Sequence, residues 1–461
     1  MNDVVNAFTE RLPHEPGTFE VAVKDTIWMK GLRATRGSRA FADFICPEDA
    51  VAVRRVRAAG AAIIGRTTNP ELCFRGVTQS VLHGVTRNPF DLSRVAGGSS
   101  GGSGAAVASG AVPMALGTDG GGSIRIPASF CGVVGHKPTF GLVPVTPGFR
   151  GWETLSVVGP IARTVAEARF LLDVIAGPDP SDPGSLNVPR LPMPRATPGD
   201  PRAAAGDLRA TPDDPRATPD DPRATPDDPR ATPDEAHVTP GDPRAAGPGD
   251  LRVAASVDLG HLPVEPEVRA AFSAAVAELR AAGWDIADAE PEPIRSAPIW
   301  DGIGIPEGYA ADRTLLERPE LLEEDTARLL AAGAGVSAAQ YLDAVEERAR
   351  YIRSWASFFT GYDVLLTPTM QMTAFPVGTL TPAAIHGVPV DPFFDDWCNF
   401  CLPANLTGFP ATSVPCGYDA DGLPIGLQVT GPRGADDWTL AVAEAWESLF
   451  ASRRRAPRPP S

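Results

Sequence analysis

The chain has 461 residues and a formal net charge of −16, from 41 Lys and Arg against 57 Asp and Glu. An acidic surface of this size disfavours unaided binding to nucleic acid or to an anionic membrane, and no apolar run approaches the ~18 residues that a membrane span needs. The N-terminus shows no charged start followed by an apolar run, and the six cysteines are scattered in a way that suits buried free thiols, so a cytoplasmic setting is expected.

Taken in chain order, Phe19–Lys24 alternates apolar positions at Phe19, Val21 and Val23 and reads as a strand ending at Lys24. Residues 47–59 read as a helix and 61–65 as the strand after it. Thr164 and Glu167 form a capping box before a helix carrying Phe170, Leu171 and Ile175, with Gly177 as its stop. Residues 251–257 read as a strand, and 268–282 as a helix closed by Gly283. Ser337 and Gln340 make a second capping box, before a long helix bearing Tyr341, Val345, Ile352, Trp355 and Phe359. A buried strand follows at 362–366. Residues 414–416 and 425–429 make a late hairpin around Asp421-Gly422. Strands and helices alternating in this way predict an α/β fold around a mixed or mostly parallel sheet.

One stretch breaks the pattern. Eight seven-residue units, several close to RATPDDP, run from 195 to 250 with twelve prolines, no aromatic residue and only Leu208 and Val238 as large aliphatics. There is no apolar seam for a coiled coil, and so little apolar area cannot offset the ordering entropy. The expectation is a disordered insertion at 195–250 between two parts of one domain, 1–194 and 251–455.

The chemistry concentrates between Gly97 and Ser129 (GGSSGGSGAAVASGAVPMALGTDGGGSIRIPAS). Ser123 follows Gly120-Gly121-Gly122, a turn whose free N–H groups can converge on one oxygen. A phosphate cradle is the competing reading, but no lysine follows at the Walker spacing. A serine nucleophile needs a base, and none of the six histidines offers an obvious partner. The chain holds only three lysines, Lys24, Lys30 and Lys137, amid abundant arginine. Lysine, unlike arginine, can give up its proton when buried. An unperturbed lysine costs about 4.6 kcal/mol to deprotonate at pH 7, and burial with hydroxyl partners can remove most of that cost. Ser99 would relay a proton between Ser123 and Lys24. Cys398 and Cys401 form a C-x-x-C with no second Cys/His pair at zinc spacing, so they read as core thiols and no metal is expected.

The run GGSSGGSG…GTDGGGSIRIPASFCGVVGHKPTFGLVP resembles the amidase signature family of serine hydrolases. So do VKDTIWMKG upstream and YDVLLTPTM and NLTGFPATSVPCGYDADGLPIGLQVTG downstream. The resemblance covers about 19–178 and 251–450. It implies a three-layer α/β/α domain with a large mixed central sheet, and a triad of Ser123 as nucleophile, Ser99 as bridging serine after a cis Gly98–Ser99 peptide, and Lys24 as base. It also implies an oxyanion hole of backbone N–H groups from Gly120, Gly121, Gly122 and Ser123. Ser100 is expected to support the serine loop, and Asp119 and Arg125 to pair and brace the turn. The variable stretch at about 295–400 is expected to build the substrate pocket, with Trp300, Phe393 and Trp397 as lining candidates. The implied activity is hydrolysis of a small carboxylic amide through an acyl-enzyme, with no cofactor, no nucleic acid and no membrane partner, and with homodimer formation left open. Two alternatives stand beside it. One is a glutaminase subunit of a tRNA-dependent amidotransferase. The other is an idle scaffold whose acidic repeat binds a basic partner, against which the intact Lys24, Ser99 and Ser123 argue.

Overall fold

Strands of three to eight residues, most of them rich in apolar positions, make one large sheet in a computed structural model that describes residues 4–13, 15–193, 247, 249–391 and 397–457. Its strands are β1 (Phe8–Arg11), β2 (Phe19–Lys24), β3 (Ala61–Thr67), β4 (Met114–Asp119), β5 (Val134–Lys137), β6 (Val157–Ala162), β7 (Val253–Ala255), β8 (Ile286–Asp288), β9 (Val364–Pro368), β10 (Ala411–Tyr418) and β11 (Pro424–Thr430). The 11 strands lie in the order β1-β3-β2-β4-β6-β5-β10-β11-β9-β7-β8. The trios β3-β2-β4 and β9-β7-β8 are parallel. The strands between them, from β4 across to β9, pair antiparallel. Strands from both sides of the 195–250 stretch therefore belong to one sheet. That stretch itself lies outside the described residues, apart from 247, 249 and 250.

The helices are α1 (Val51–Ala58), α2 (Gly101–Ala108), α3 (Arg125–Cys131), α4 (Val165–Ile175), α5 (Pro266–Ala281), α6 (Ala297–Asp312), α7 (Glu324–Ala334), α8 (Ala338–Gly361), α9 (Leu402–Thr407) and α10 (Asp436–Phe450). Strand alternation divides them between two faces. Val21, Val23 and Leu116 join a core with Val53 of α1, Leu171 of α4 and Leu440 of α10. Ala22 and Ala115 point the other way, into a core with Ala105 and Ala106 of α2 and Ala128 and Cys131 of α3. Small residues on that second face let α2 and α3 lie close to the sheet, and these two helices carry the glycine-serine segments. The result is the three-layer arrangement with a mixed sheet.

The local signals translate closely. Both capping boxes form, Thr164 with Glu167 and Ser337 with Gln340. The hairpin at β10 and β11 turns at Gly422, whose φ is +85°. The helix expected from 47 begins at Val51, because Asp49 is spent accepting from the Lys30 N–H at 2.7 Å. The strand expected from 251 to 257 shortens to Val253–Ala255, since the Arg252 N–H turns to the Asp363 carboxylate. On α8, Trp355 and Phe359 are buried while Val345 faces solvent. Among the described residues, no helix is long and apolar enough to cross a membrane.

Candidate active site

Lys24 ends β2 with parallel neighbours on both sides, so its side chain leaves the sheet in the interior and is fully buried. Its Nζ donates to Ser99 Oγ and to Thr118 Oγ1, each at 2.7 Å. No carboxylate among the described residues lies within ion-pair distance of it. Burial pushes its pKa down, and the nearby Cys73 and Asp119 only partly oppose this. An amine held by two neutral hydroxyls in a dry site is biased toward its uncharged form.

Ser99 is buried, and the Gly98–Ser99 peptide is cis. A Cβ at Gly98 would sit 2.7 Å from the Val77 carbonyl carbon, so only glycine fits there. The following residue, Ser100, ties two loops together. Its N–H donates to Ser123 O at 3.1 Å, and its Oγ bridges the Thr118 carbonyl and N–H at 3.1 and 3.2 Å. Ser123 is half-buried and opens onto a cleft. Its Oγ makes no hydrogen bond to a described residue, so the Lys24–Ser99 leg of the expected relay is formed while the Ser99–Ser123 leg is open. Hydroxyl contacts of this kind commonly tighten only with substrate bound.

The turn before Ser123 is braced from below. Arg125 Nε and Nη2 each donate to the Asp119 carboxylate at 2.9 Å, with both side chains fully buried. The remaining Arg125 donors go to Cys401 O, Gln428 Oε1 and Asn405 Oδ1. Burial would raise the Asp119 pKa, but the Arg125 charge and hydrogen bonds, with Lys137, hold the carboxyl well below its usual range. Asp119 Oδ1 also accepts from the Gly122 N–H at 2.8 Å. This corrects the expected oxyanion set: the Gly122 donor is already engaged, and Gly122 is absent from the cleft wall. The N–H groups of Gly120, Gly121 and Ser123 have no partner among the described residues, and all three residues line the cleft. Gly122 is fixed as glycine by φ of +123° and by a Cβ position 2.7 Å from Cys401 Cβ.

The cleft opens to solvent, and Phe74, Trp152, Trp300, Ile305, Leu329 and Leu402 give it an apolar wall. Trp300 Nε1 donates to Gly120 O at 2.8 Å, and Trp152 Nε1 to Gly304 O at 2.9 Å, so both indoles are locked in place. Of the expected lining residues, Trp300 is there. Trp397 is not: it is fully buried behind the wall, stacked on Phe130 at 5.9 Å and edge-on to Phe375 at 5.1 Å. Its large apolar ring filled a core gap instead. Phe393 lies outside the described residues. Sequence reasoning missed Thr118, Cys73 and Trp152. Thr118 had a signal, because it sits inside the same motif as Ser123; the other two had none.

Comparison with known proteins matches the Amidase family over residues 20–205 and 220–440. The chain is 35% identical to an acylamidase of Rhodococcus erythropolis, across 93% of this chain and 80% of that protein. It is 36% identical to a glutamyl-tRNA(Gln) amidotransferase subunit of Symbiobacterium thermophilum, across 95% and 84%. The solved structure of a bacterial aryl acylamidase of the amidase signature enzymes superposes with a TM-score of 0.77 at 26% identity, covering 96% of this chain and 85% of that one.

Proposed function

This chain belongs to the amidase signature family of hydrolases that act on amide C–N bonds, and from the geometry of its buried lysine we propose that it cleaves a small carboxylic amide through a Ser123 acyl-enzyme. Neutral Lys24 takes the Ser99 proton as Ser99 takes the Ser123 proton. Ser123 Oγ attacks the amide carbonyl carbon, and the N–H groups of Gly120, Gly121 and Ser123 hold the oxyanion. The proton returns through Ser99 to the leaving amine, the C–N bond breaks, and water repeats the sequence to release the acid. The observation that carries this reading is the Lys24 amine, fully buried and bonded at 2.7 Å to Ser99, with no carboxylate of the described residues at ion-pair distance. The apolar cleft beside Ser123 suits an aryl or alkyl amide. A cytoplasmic setting agrees with six free cysteines.

The glutaminase-subunit reading is kept as the second, because relatives named as glutamyl-tRNA(Gln) amidotransferase subunits match about as well as the acylamidase. Two measurements test these readings. Labelling by a serine-directed fluorophosphonate, lost in Ser123→Ala, is expected; equal labelling of the variant would sink the nucleophile assignment. A panel of aryl amides, short aliphatic amides and glutamine then separates the two, since ammonia release from glutamine that rises with a partner protein would favour the second.

A further inference from the structure

The aromatic wall of the cleft stands partly on a weak helix. α6 carries Trp300 and Ile305, yet it also holds Gly302, Gly304, Gly308 and Pro306, residues of poor helix propensity. Its position therefore depends on what packs behind it. α8 does so closely: a Cβ at Gly302 would lie 2.7 Å from the Ala344 Cβ, so glycine is what lets the two helices come this near. α8 is itself fixed by its capping box and by the buried Tyr351 and Trp355.

A polar knot that the reaction scheme does not use ties α8 to this wall. The half-buried Arg348 donates from Nε to Leu406 O at 2.7 Å, from Nη1 to Thr154 Oγ1 at 2.9 Å and from Nη2 to Thr154 O at 2.8 Å. A hydroxyl can accept and donate at once. Thr154 Oγ1 donates onward to Glu307 Oε1 of α6 at 2.9 Å, where Tyr341 OH also donates at 3.1 Å. The knot thus joins three pieces of the cleft wall: the loop of Trp152, α6 beyond Trp300 and Ile305, and α9 one turn beyond Leu402. Arg348, Thr154 and Glu307 do not line the cleft themselves. In front of them the Trp152 and Trp300 rings lie 6.2 Å apart, and the Trp300 bond to Gly120 O carries the position of α6 to the turn before Ser123. We propose that Arg348, acting through Thr154 and Glu307, is a positioning residue that sets the spacing of Trp152 and Trp300, and with it the size of the apolar group that the cleft accepts beside Ser123. This rests on the amidase reading above and adds to it a specificity determinant outside the cleft.

The test uses two fluorophosphonates, one with a methyl and one with a phenylalkyl substituent, each of which phosphonylates a reactive serine with loss of fluoride. The readout is the ratio of their labelling rate constants at Ser123. Wild-type protein is expected to favour the phenylalkyl probe. Arg348→Met keeps the aliphatic stem and removes the three hydrogen bonds. It should lower the ratio by about 2–10-fold, the worth of one aromatic contact, while the methyl-probe rate stays within about twofold. Thr154→Val removes only the hydroxyl link, should lower the ratio in the same direction, and stands in if Arg348→Met misfolds. Arg348→Lys keeps a cation within reach of the carbonyls and should recover part of the ratio. A ratio near one in the wild type, a ratio unchanged in both variants even where they melt lower, or an equal fall for both probes would each overturn the positioning role. A wild-type protein that neither probe labels would sink the amidase reading and this inference together, whereas labelling at an unchanged ratio would sink only the inference.

Discussion

Replacing Lys24 by Met separates catalysis from folding. The substitution removes two hydrogen bonds of 2.7 Å, to Ser99 and Thr118. At about 0.5–1.5 kcal/mol each, they set a loss of about 1–3 kcal/mol, and part of it is returned because a buried amine no longer needs desolvating. A domain with about 5–15 kcal/mol of stability stays folded after such a loss. Catalysis should suffer more. A positioned general base is worth about 10²–10⁴-fold, or about 2.7–5.5 kcal/mol of transition-state stabilisation. The expected result is a chemical-denaturation midpoint near that of the wild type with kcat reduced at least a hundredfold, read on whichever amide the panel identifies. The pH profile gives a second readout. Burial lowers the Lys24 pKa, and only the neutral amine accepts a proton, so wild-type activity rises with pH through that lowered pKa and this limb disappears in Lys24→Met. A variant that keeps kcat within tenfold, or keeps the limb, would refute the reasoning.

Asp119→Asn leaves the fully buried Arg125 without its counter-charge, so stability should fall by about 3–5 kcal/mol; a denaturation curve within about 1 kcal/mol of wild type would contradict the brace. Burial holds Lys137 down at about 7, whereas in the unfolded chain it titrates near ~10.4. The unfolded state therefore binds more protons between those values, and stability should rise with pH across that window by up to about 1.4 kcal/mol per unit. Lys137→Met should flatten this slope in denaturation measured from pH 7 to 9.5, and parallel curves would exclude the effect. Cys73 is the one cysteine of the six that is not buried, while burial pushes Cys401 up to about 12. Maleimide should therefore modify Cys73 first, with loss of turnover and protection by substrate; peptide mapping that found another cysteine modified first would overturn this.

Much of the site lay within short reach along the chain. Ser99 and Ser123 are 24 residues apart in a segment whose glycines leave few alternatives, and the lysine-poor composition singled out Lys24. Both capping boxes, the strand end at Lys24 and the late hairpin were legible because each depends on a few neighbouring residues. What escaped depended on distant packing or on turn geometry. The Gly122 N–H looks free in a glycine run, yet the turn delivers it to Asp119. Asn405, whose side chain ties down the same carboxylate from 286 residues away, had no local sign of that role.

The sequence by itself determined the family and the α/β character, because the glycine-serine motifs and the alternating apolar runs are local in the chain. Only the tertiary structure decided which aromatic rings line the cleft. Trp300 and Trp397 are equally apolar and lie in the same variable stretch, but one is held at the cleft by its bond to Gly120 and the other is drawn into the core against Phe130. Burial depends on which surfaces the fold brings together, and composition does not encode that.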